Sequence, residues 1–239
     1  VINAVAYTNV DKAEIEPELT NAINAEAPGM LAQECFRQKA VLIHFSTDYV
    51  FDGLKEQPYT EDDQPGPHGI YSQSKLAGEQ AALSAGGAVL VLRTSWLYSW
   101  RRDNFALKVL HWARNKSTVR IAADQYGSPT WARLLAEITA QLLAQNNTSL
   151  QSLCEHSGVY HLAGDGYASR YEWAKAILDL DPHPEEWIMR ELQPAAASEF
   201  PAPAPRPINS ALNCDHFYRT FGLRLPPWQT GLKLMMAQG

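Results

Sequence analysis

The sequence lacks an excess of basic residues and any long apolar run. It has 20 Lys and Arg against 26 Asp and Glu, a net charge of −6, so we expect no nucleic acid partner. The longest apolar run, residues 88–92, is far shorter than the roughly 20 residues that span a bilayer, so we expect no membrane partner. The composition, 46% hydrophobic and 19% charged, is that of a globular protein with a small-molecule ligand.

Cysteine is also scarce. Cys35, Cys154 and Cys214 are the only three, and none forms a C-x-x-C pair. The seven histidines are scattered along the chain. This pattern argues against a disulfide framework, predicts no metal site and favours a reducing cytoplasm.

Short β-rich runs alternate with amphipathic segments, which predicts a parallel sheet covered by helices. The predicted strands are residues 1–6, 40–45, 88–94, 119–122 and 159–163. The predicted helices are residues 16–38, 71–85, 104–115, 131–145, 169–180 and 228–237, and the predicted loops include 52–69, 146–157 and 194–207.

Polar or aromatic residues follow three of the predicted strands. They are Tyr7 and Thr8, the run from Ser46 to Tyr49, and the run from Thr94 to Trp96. In an open parallel sheet, ligands bind beyond the carboxyl ends of the strands. We therefore predict a ligand site at this edge.

Tyr71 and Lys75 form a Y-x-x-x-K pair on one face of a predicted helix. A lysine cation beside a tyrosine lowers the phenol pKa and suits it to acid–base work. Thr47, at a strand end one loop upstream, can hydrogen-bond the same substrate oxygen. Tyr171 and Lys175 repeat the spacing, but no strand ending in Ser or Thr precedes them at that distance, and we interpret them as an ordinary helix-surface pair.

Ordered segments along nearly the whole chain carry a family resemblance. They include STDYVFDG at 46–53, YSQSKLAGE at 71–79, RTSWLY at 93–98 and DQYGSPT at 124–130, with further matches at 3–14, 58–59 and 206–210. The chain resembles the extended short-chain dehydrogenase/reductase family and, within it, the dTDP-4-dehydrorhamnose reductases.

The resemblance implies a Rossmann-like, doubly wound α/β fold with a smaller C-terminal substrate-binding lobe. Residues 1–122 would be the remainder of the dinucleotide-binding domain. Residues 123–239 would be mainly the lobe, with some segments returning to the core. The resemblance further implies that the protein uses NADPH or NADH as its cofactor and acts on a nucleotide-linked 4-keto-sugar.

The resemblance also implies roles for individual residues. Tyr71 would be the general acid for reduction at C4, Lys75 would lower its pKa and bind the nicotinamide ribose, and Thr47 would bind the keto oxygen. Asp48 and Trp96 would hold the sugar. The cofactor would be lined by Ala6, Tyr7, Thr8 and Phe45.

The glycine-rich turn that holds a dinucleotide pyrophosphate is missing. No G-x-G-x-x-G or G-x-x-G-x-x-G pattern occurs. We therefore expect the sheet to lack its first β–α units and the sequence to belong to a reductase of roughly 300 residues, with this chain binding cofactor poorly by itself. The choice between NADH and NADPH stays open, as does the oligomeric state, with a homodimer as one option.

Two other functions share these motifs. A nucleotide-sugar epimerase or dehydratase also uses Tyr and Lys, although Tyr49 stands where a dehydratase would carry a second acid after Asp48. A non-catalytic, nucleotide-binding regulatory subunit could keep Tyr71 and Lys75 without turnover.

Overall fold

The structure is a computed structural model and describes residues 1–145 and 150–238. Its strands are β1 Ile2–Asn3, β2 Leu42–Thr47, β3 Val89–Thr94, β4 Leu97–Tyr98, β5 Thr118–Ala122, β6 Tyr126–Gly127, β7 Thr130–Trp131, β8 Gly158–His161, β9 Ala168–Ser169 and β10 Glu191–Ala195. Its helices are α1 Val10–Ala13, α2 Pro17–Asn21, α3 Ala27–Arg37, α4 Ile70–Ser84, α5 Phe105–Asn115, α6 Ala132–Gln145, α7 Leu150–Glu155, α8 Arg170–Asp179, α9 Asp215–Phe221 and α10 Trp228–Met236. A π-helical turn, Ala22–Glu26, joins α2 to α3.

The central sheet has four parallel strands in the order β1–β2–β3–β8. Because side chains alternate along a strand, Leu42 and Val89 pack with α3 and α4 on one face. Ile43, Leu90 and Leu92 pack with α6 and α9 on the other. Helices on both faces confirm the predicted doubly wound fold.

A second core lies beside the sheet. It gathers residues of α5, α8 and α10 with those of the short strands β4, β5 and β7. Its centre is Trp173, a fully buried side chain whose ring stacks on Trp96 and Phe105 with centroids 5.4 and 4.9 Å away.

Strand β1 is shorter than the predicted 1–6. The side-chain carbonyl of Asn3 accepts a hydrogen bond from the backbone N–H of Val5 at 3.1 Å. Such a local turn competes with the β ladder. The chain therefore leaves the sheet after Asn3.

The prediction of a loop over 194–207 is wrong at its start. Residues Glu191–Ala195 form β10, which pairs in parallel with β5 in a separate sheet of two strands. We did not predict this strand because it contains Pro194. A proline is nevertheless tolerated in an edge strand, where the N–H that it lacks would not face the neighbouring strand. We predicted that residues 1–122, which include β5, belong to the dinucleotide-binding domain. The boundary between that domain and the substrate-binding lobe at residue 122 stays a prediction.

Three of the described helices were not predicted: the four-residue α1, and also α7 and α9. We predicted a loop over residues 146–157. That prediction is wrong for Leu150–Glu155, which form helix α7. Residues 146–149 lie outside the described ones. Helix α9 buries Phe217 and Phe221, which are four residues apart, and ends at Gly222 in the left-handed conformation. Apolar residues four positions apart and a glycine at the end are ordinary signals of a helix, so α9 could have been predicted from the sequence.

Within residues 1–145 and 150–238, no helix combines the length and the hydropathy that crossing a bilayer requires.

Helix α4 packs against the π-helical turn at a glycine. A Cβ at Gly78 would lie 2.0 Å from the carbonyl oxygen of Asn24. Alanine normally stabilises a helix relative to glycine by about 1 kcal/mol. We predict the opposite for Gly78→Ala, a loss of about 3 kcal/mol in the free energy of unfolding because backbone must move, measured by urea denaturation.

The matched control is Gly158→Ala. A Cβ there would meet nothing nearer than the Tyr160 ring at 4.0 Å, so the unfolding free energy should change by less than about 0.5 kcal/mol. Equal effects of the two substitutions would contradict the role assigned to the close approach at Gly78.

Candidate active site

The sheet register brings the predicted strand-end residues to one edge. Asn3 pairs with His44, and Thr47 pairs with Thr94. The segments that follow β1, β2 and β3 therefore leave the sheet on the same side. This is the edge at which open parallel sheets bind ligands.

A buried ion pair anchors helix α4 against the sheet. The Arg93 guanidinium donates to Glu79 at 2.7 Å, with both side chains at most 4% exposed. The hydroxyl of Ser46 donates to the same carboxylate at 2.5 Å. Glu79 lies one turn after Lys75 and two turns after Tyr71, so this contact sets where both side chains meet the edge.

Tyr71 and Thr47 are brought together as predicted. Burial raises the pKa of Tyr71 to about 12, and the neighbouring Thr47 side chain acts in the opposite direction and lowers it. The half-buried Tyr71 ring also meets the Tyr49 ring edge-on at 6.2 Å. The phenol is therefore protonated at neutral pH.

Lys75 is buried against the end of β2. Its ammonium is 2% exposed and donates to the carbonyl oxygen of Phe45 at 2.7 Å, with His44 Nε2 at 3.3 Å. Burial lowers the pKa of Lys75 to about 8, against an opposing effect of Glu79. The ammonium is held by the sheet in this structure, and the predicted lowering of the Tyr71 pKa by Lys75 stays a prediction.

Asp48 is buried among hydroxyl groups. Ser95 donates to it at 2.8 Å and Thr47 at 3.2 Å, and Ser210 also hydrogen-bonds it. Burial outweighs these contacts and raises the pKa of Asp48 to about 6. Asp48 therefore orients the Thr47 hydroxyl beside Tyr71.

Trp96 follows β3 in a strained conformation. Its φ of 43° is unusual for a residue other than glycine. The side chain is 9% exposed and stacks on Trp173, and the Arg170 guanidinium lies 3.6 Å from its ring centroid. A Cβ at Gly127 would lie 2.3 Å from this ring. Most of the indole is thus packed in protein, and its predicted contact with sugar stays a prediction.

The segment after β1 is tied to helix α4. The backbone N–H of Tyr7 donates to the Asn24 side chain at 2.8 Å, and Asn24 donates in turn to Ser74 at 3.2 Å. The Tyr7 hydroxyl donates to Glu16 at 2.5 Å.

This segment suits a hydroxyl-rich group. Ala6 is half-buried and Thr8 is exposed, and Phe45 lies half-buried on the neighbouring strand. The exposed Thr8 hydroxyl is a donor of the kind that binds ribose, whereas the Lys75 nitrogen is buried against Phe45 and His44. These residues therefore fit the nicotinamide end of a dinucleotide.

A cavity of about 890 Å³ opens between α5, β5 and the segment around Arg206. Arg170 connects it to the edge of the sheet where β2 and β3 end, because it lines the cavity and hydrogen-bonds Tyr49, whose ring meets that of Tyr71. The cavity is rich in cations and aromatic rings: Lys116, Arg120, Arg170, Arg206, Phe105, Trp112 and Phe200.

The sequence placed Tyr49 and Ser95 among the polar residues that follow the strands, but no individual role was predicted for either. Arg170 was missed, because it carries no local signal and reaches this edge only through the packing of segments distant in sequence. Arg206 lies in a segment that carries the family resemblance, but no role was predicted for it. Its charge acts on both Tyr49 and Arg170.

The second Y-x-x-x-K pair lies elsewhere. Tyr171 is half-buried against the second core and its hydroxyl meets the Leu192 carbonyl at 3.5 Å, while Lys175 is exposed. The pair lies on α8, away from the polar ends of β2 and β3.

A family model described as the RmlD substrate binding domain matches residues 1–239. The chain belongs to this family. It is 39% identical to a dTDP-4-dehydrorhamnose reductase of Burkholderia thailandensis, over 98% of this chain and 80% of the relative. A second relative of that name, from Salmonella typhimurium, is 38% identical over 100% of this chain and 79% of its own length. The resemblance to these reductases is thereby confirmed.

Solved structures of RmlD-family proteins agree. A dTDP-4-dehydrorhamnose reductase from Clostridium acetobutylicum superposes with a TM-score of 0.89 at 31% identity, covering 100% of this chain and 80% of that one. The enzyme of the same name from Bacillus anthracis, in complex with NADP, gives 0.87 at 32% identity with the same coverage.

The buried Asp48 gives a pH prediction. Its folded-state pKa of about 6 lies above the ordinary 3.8, so folding favours the protonated form and the protein loses stability as pH rises from about 4 to 6. In Asp48→Asn that loss disappears. From pH 4.5 to pH 7, wild type should lose about 2 kcal/mol of unfolding free energy relative to the variant, measured by urea denaturation. A difference that stays constant with pH would contradict the assignment.

Proposed function

We propose that this protein reduces the C4 keto group of dTDP-4-dehydro-L-rhamnose to dTDP-L-rhamnose with NADPH or NADH. The observation that carries the proposal is the pairing of the Tyr71 and Thr47 hydroxyls at the ligand-binding edge of the sheet. Membership of the RmlD family, with relatives named for this reaction, supports it.

Tyr71 is the proposed general acid. Bound nicotinamide supplies a hydride, which adds to C4 while the carbonyl π electrons move to oxygen. Tyr71 then transfers its phenolic proton to that oxygen. A pKa of about 12 keeps the phenol protonated at neutral pH, while an alkoxide is the stronger base, so transfer is downhill.

Thr47 is the proposed partner of the keto oxygen. Its hydroxyl donates to Asp48 at 3.2 Å in the free protein, and in the proposed complex it would turn to donate to the keto oxygen instead. A donor fixed where negative charge develops stabilises the transition state more than the ground state. Thr47 and Tyr71 thus bind the same oxygen.

Lys75 and the segment after β1 are the proposed cofactor contacts. Lys75 binds the nicotinamide ribose, and Ala6, Tyr7, Thr8 and Phe45 line the ring. The hydrogen bonds from Tyr7 through Asn24 to α4 support this, because they fix that segment relative to Lys75.

The cavity is the proposed seat of the dTDP part of the substrate. Arg170 and Arg206 line it within reach of Tyr49, and arginine is suited to binding diphosphate. Asp48 and Trp96 are the proposed sugar contacts. The sugar would then lie between the cavity and Tyr71.

Tyr71→Phe removes the proposed acid and keeps the ring. We predict a fall in kcat of about 10² or more, with NADPH dissociation changed little, measured by cofactor oxidation and by fluorescence titration. Tyr171→Phe is the matched control, since it removes the hydroxyl of the second Y-x-x-x-K pair and should leave kcat unchanged. A nucleotide-binding regulatory subunit would show no turnover in either form, and an epimerase or dehydratase would consume no net cofactor; either result would overturn the proposal.

Arg206→Gln tests the cavity. Loss of one charge-assisted contact to diphosphate should weaken dTDP binding about tenfold, or about 1.4 kcal/mol, measured by titration calorimetry. Arg133, whose exposed side chain pairs with Glu137 on α6, provides the control Arg133→Gln. The same dissociation constant for wild type and Arg206→Gln would place the nucleotide elsewhere.

A further inference from the structure

Three buried polar side chains form a chain beneath the site. Asn3, His44 and Lys75 are 5%, 0% and 2% exposed. Asn3 Nδ2 lies 3.0 Å from His44 Nδ1, and His44 Nε2 lies 3.3 Å from Lys75 Nζ. His44 has no part in the chemistry proposed above.

The first contact fixes the imidazole tautomer. Asn3 Oδ1 accepts from the backbone N–H of Val5 at 3.1 Å, so the amide nitrogen of Asn3 must face His44. An amide nitrogen only donates. His44 Nδ1 is therefore the acceptor and carries no proton.

The imidazole is uncharged. Burial, followed by the charge of Lys75, lowers the pKa of His44 to about 3. A neutral imidazole without a proton on Nδ1 carries one on Nε2. That N–H points at the Lys75 nitrogen, where it finds a lone pair on a neutral amine and none on an ammonium.

We propose that His44 is a positioning residue for Lys75. With its tautomer fixed by Asn3, it donates from Nε2 to the lysine nitrogen and so favours the uncharged amine. Its importance for turnover rests on the proposed function, whereas the tautomer and the charge of Lys75 can be measured without turnover.

The other groups around Lys75 are consistent with this role of His44. Burial favours the neutral amine and Glu79 favours the cation, while the carbonyl of Phe45 accepts from either form. The pKa of Lys75 falls from the ordinary 10.5 to about 8. Lys75 is thus mainly charged below that pH and mainly uncharged above it. His44 donates its hydrogen bond to the uncharged form.

The tautomer can be measured directly. Protein labelled with ¹⁵N-histidine is studied at pH 9 by two-bond ¹H–¹⁵N correlation, with His44 assigned by the signal that His44→Gln removes. We expect a protonated Nε2 and an unprotonated Nδ1. A protonated Nδ1, alone or with Nε2, would overturn the proposal.

Asn3→Asp reverses the hydrogen-bond order. A carboxylate only accepts, so it draws the imidazole proton to Nδ1 and turns the Nε2 lone pair toward Lys75. The pKa of Lys75, followed by ¹⁵N-lysine NMR, should rise by one unit or more.

The control repeats Asn3→Asp in the His44→Gln background. If the effect passes through the imidazole, most of the rise disappears there. An equal rise in both backgrounds would show simple charge attraction and overturn the proposal, as would no rise in either. Should Asn3→Asp fail to fold, the wild-type spectrum still decides.

The kinetic readout is the pH dependence of kcat/KM. In Asn3→Asp its alkaline limb should move up together with the Lys75 pKa, which a merely structural defect would not cause. If the spectra agree and wild type shows no reductase activity, the proposed function fails and the inference about His44 stands.

Discussion

The buried contact among Ser46, Glu79 and Arg93 is the constraint on which the site depends. It joins β2, α4 and β3 through a charge pair with almost no access to water. Removing one partner of such a pair typically costs 3–5 kcal/mol, because the other charge stays buried. The pair therefore holds α4 in one position against the sheet, and the Tyr71 ring reaches the hydroxyl of Thr47 as a consequence.

Burial also sets the charge of the site. It raises the pKa of Tyr71 to about 12 and of Asp48 to about 6, and lowers those of Lys75 and His44 to about 8 and 3. Every shift favours the neutral form, as desolvation requires. A neutral phenol is a proton donor and not a base. This suits the reduction of a keto group, because the carbonyl oxygen must receive a proton. With a pKa of about 8, Lys75 is mostly a cation at neutral pH, and its activation of Tyr71 stays a prediction.

The two faces of the sheet could be predicted from the sequence. Alternation in Leu42 and Ile43 and in Val89 and Leu90 is a local property, and the structure places those pairs on opposite faces. The polar strand ends and the Y-x-x-x-K spacing are local properties too, and they predicted the position of the candidate site. The family segments, taken in order, then predicted the relationship that the comparisons confirm.

Contacts between distant segments could not be predicted. Arg170 meets Tyr49 and Trp96 only through the packing of α8 against the second core. The pairing of β10 with β5 was concealed by Pro194, whose position on a free edge is a tertiary fact. The contact of the Lys75 ammonium with the carbonyl of Phe45 could not be predicted either, because spacing along a helix does not show which neighbouring acceptor is nearer.

The most direct test of the proposed reaction follows the hydride itself. The protein is supplied with dTDP-4-dehydro-L-rhamnose and NADPH carrying deuterium at the transferable position of the nicotinamide. We predict one deuterium at C4 of dTDP-L-rhamnose for each cofactor oxidised. Conversion of the sugar without deuterium at C4, or no oxidation of the cofactor, would contradict the proposed hydride transfer.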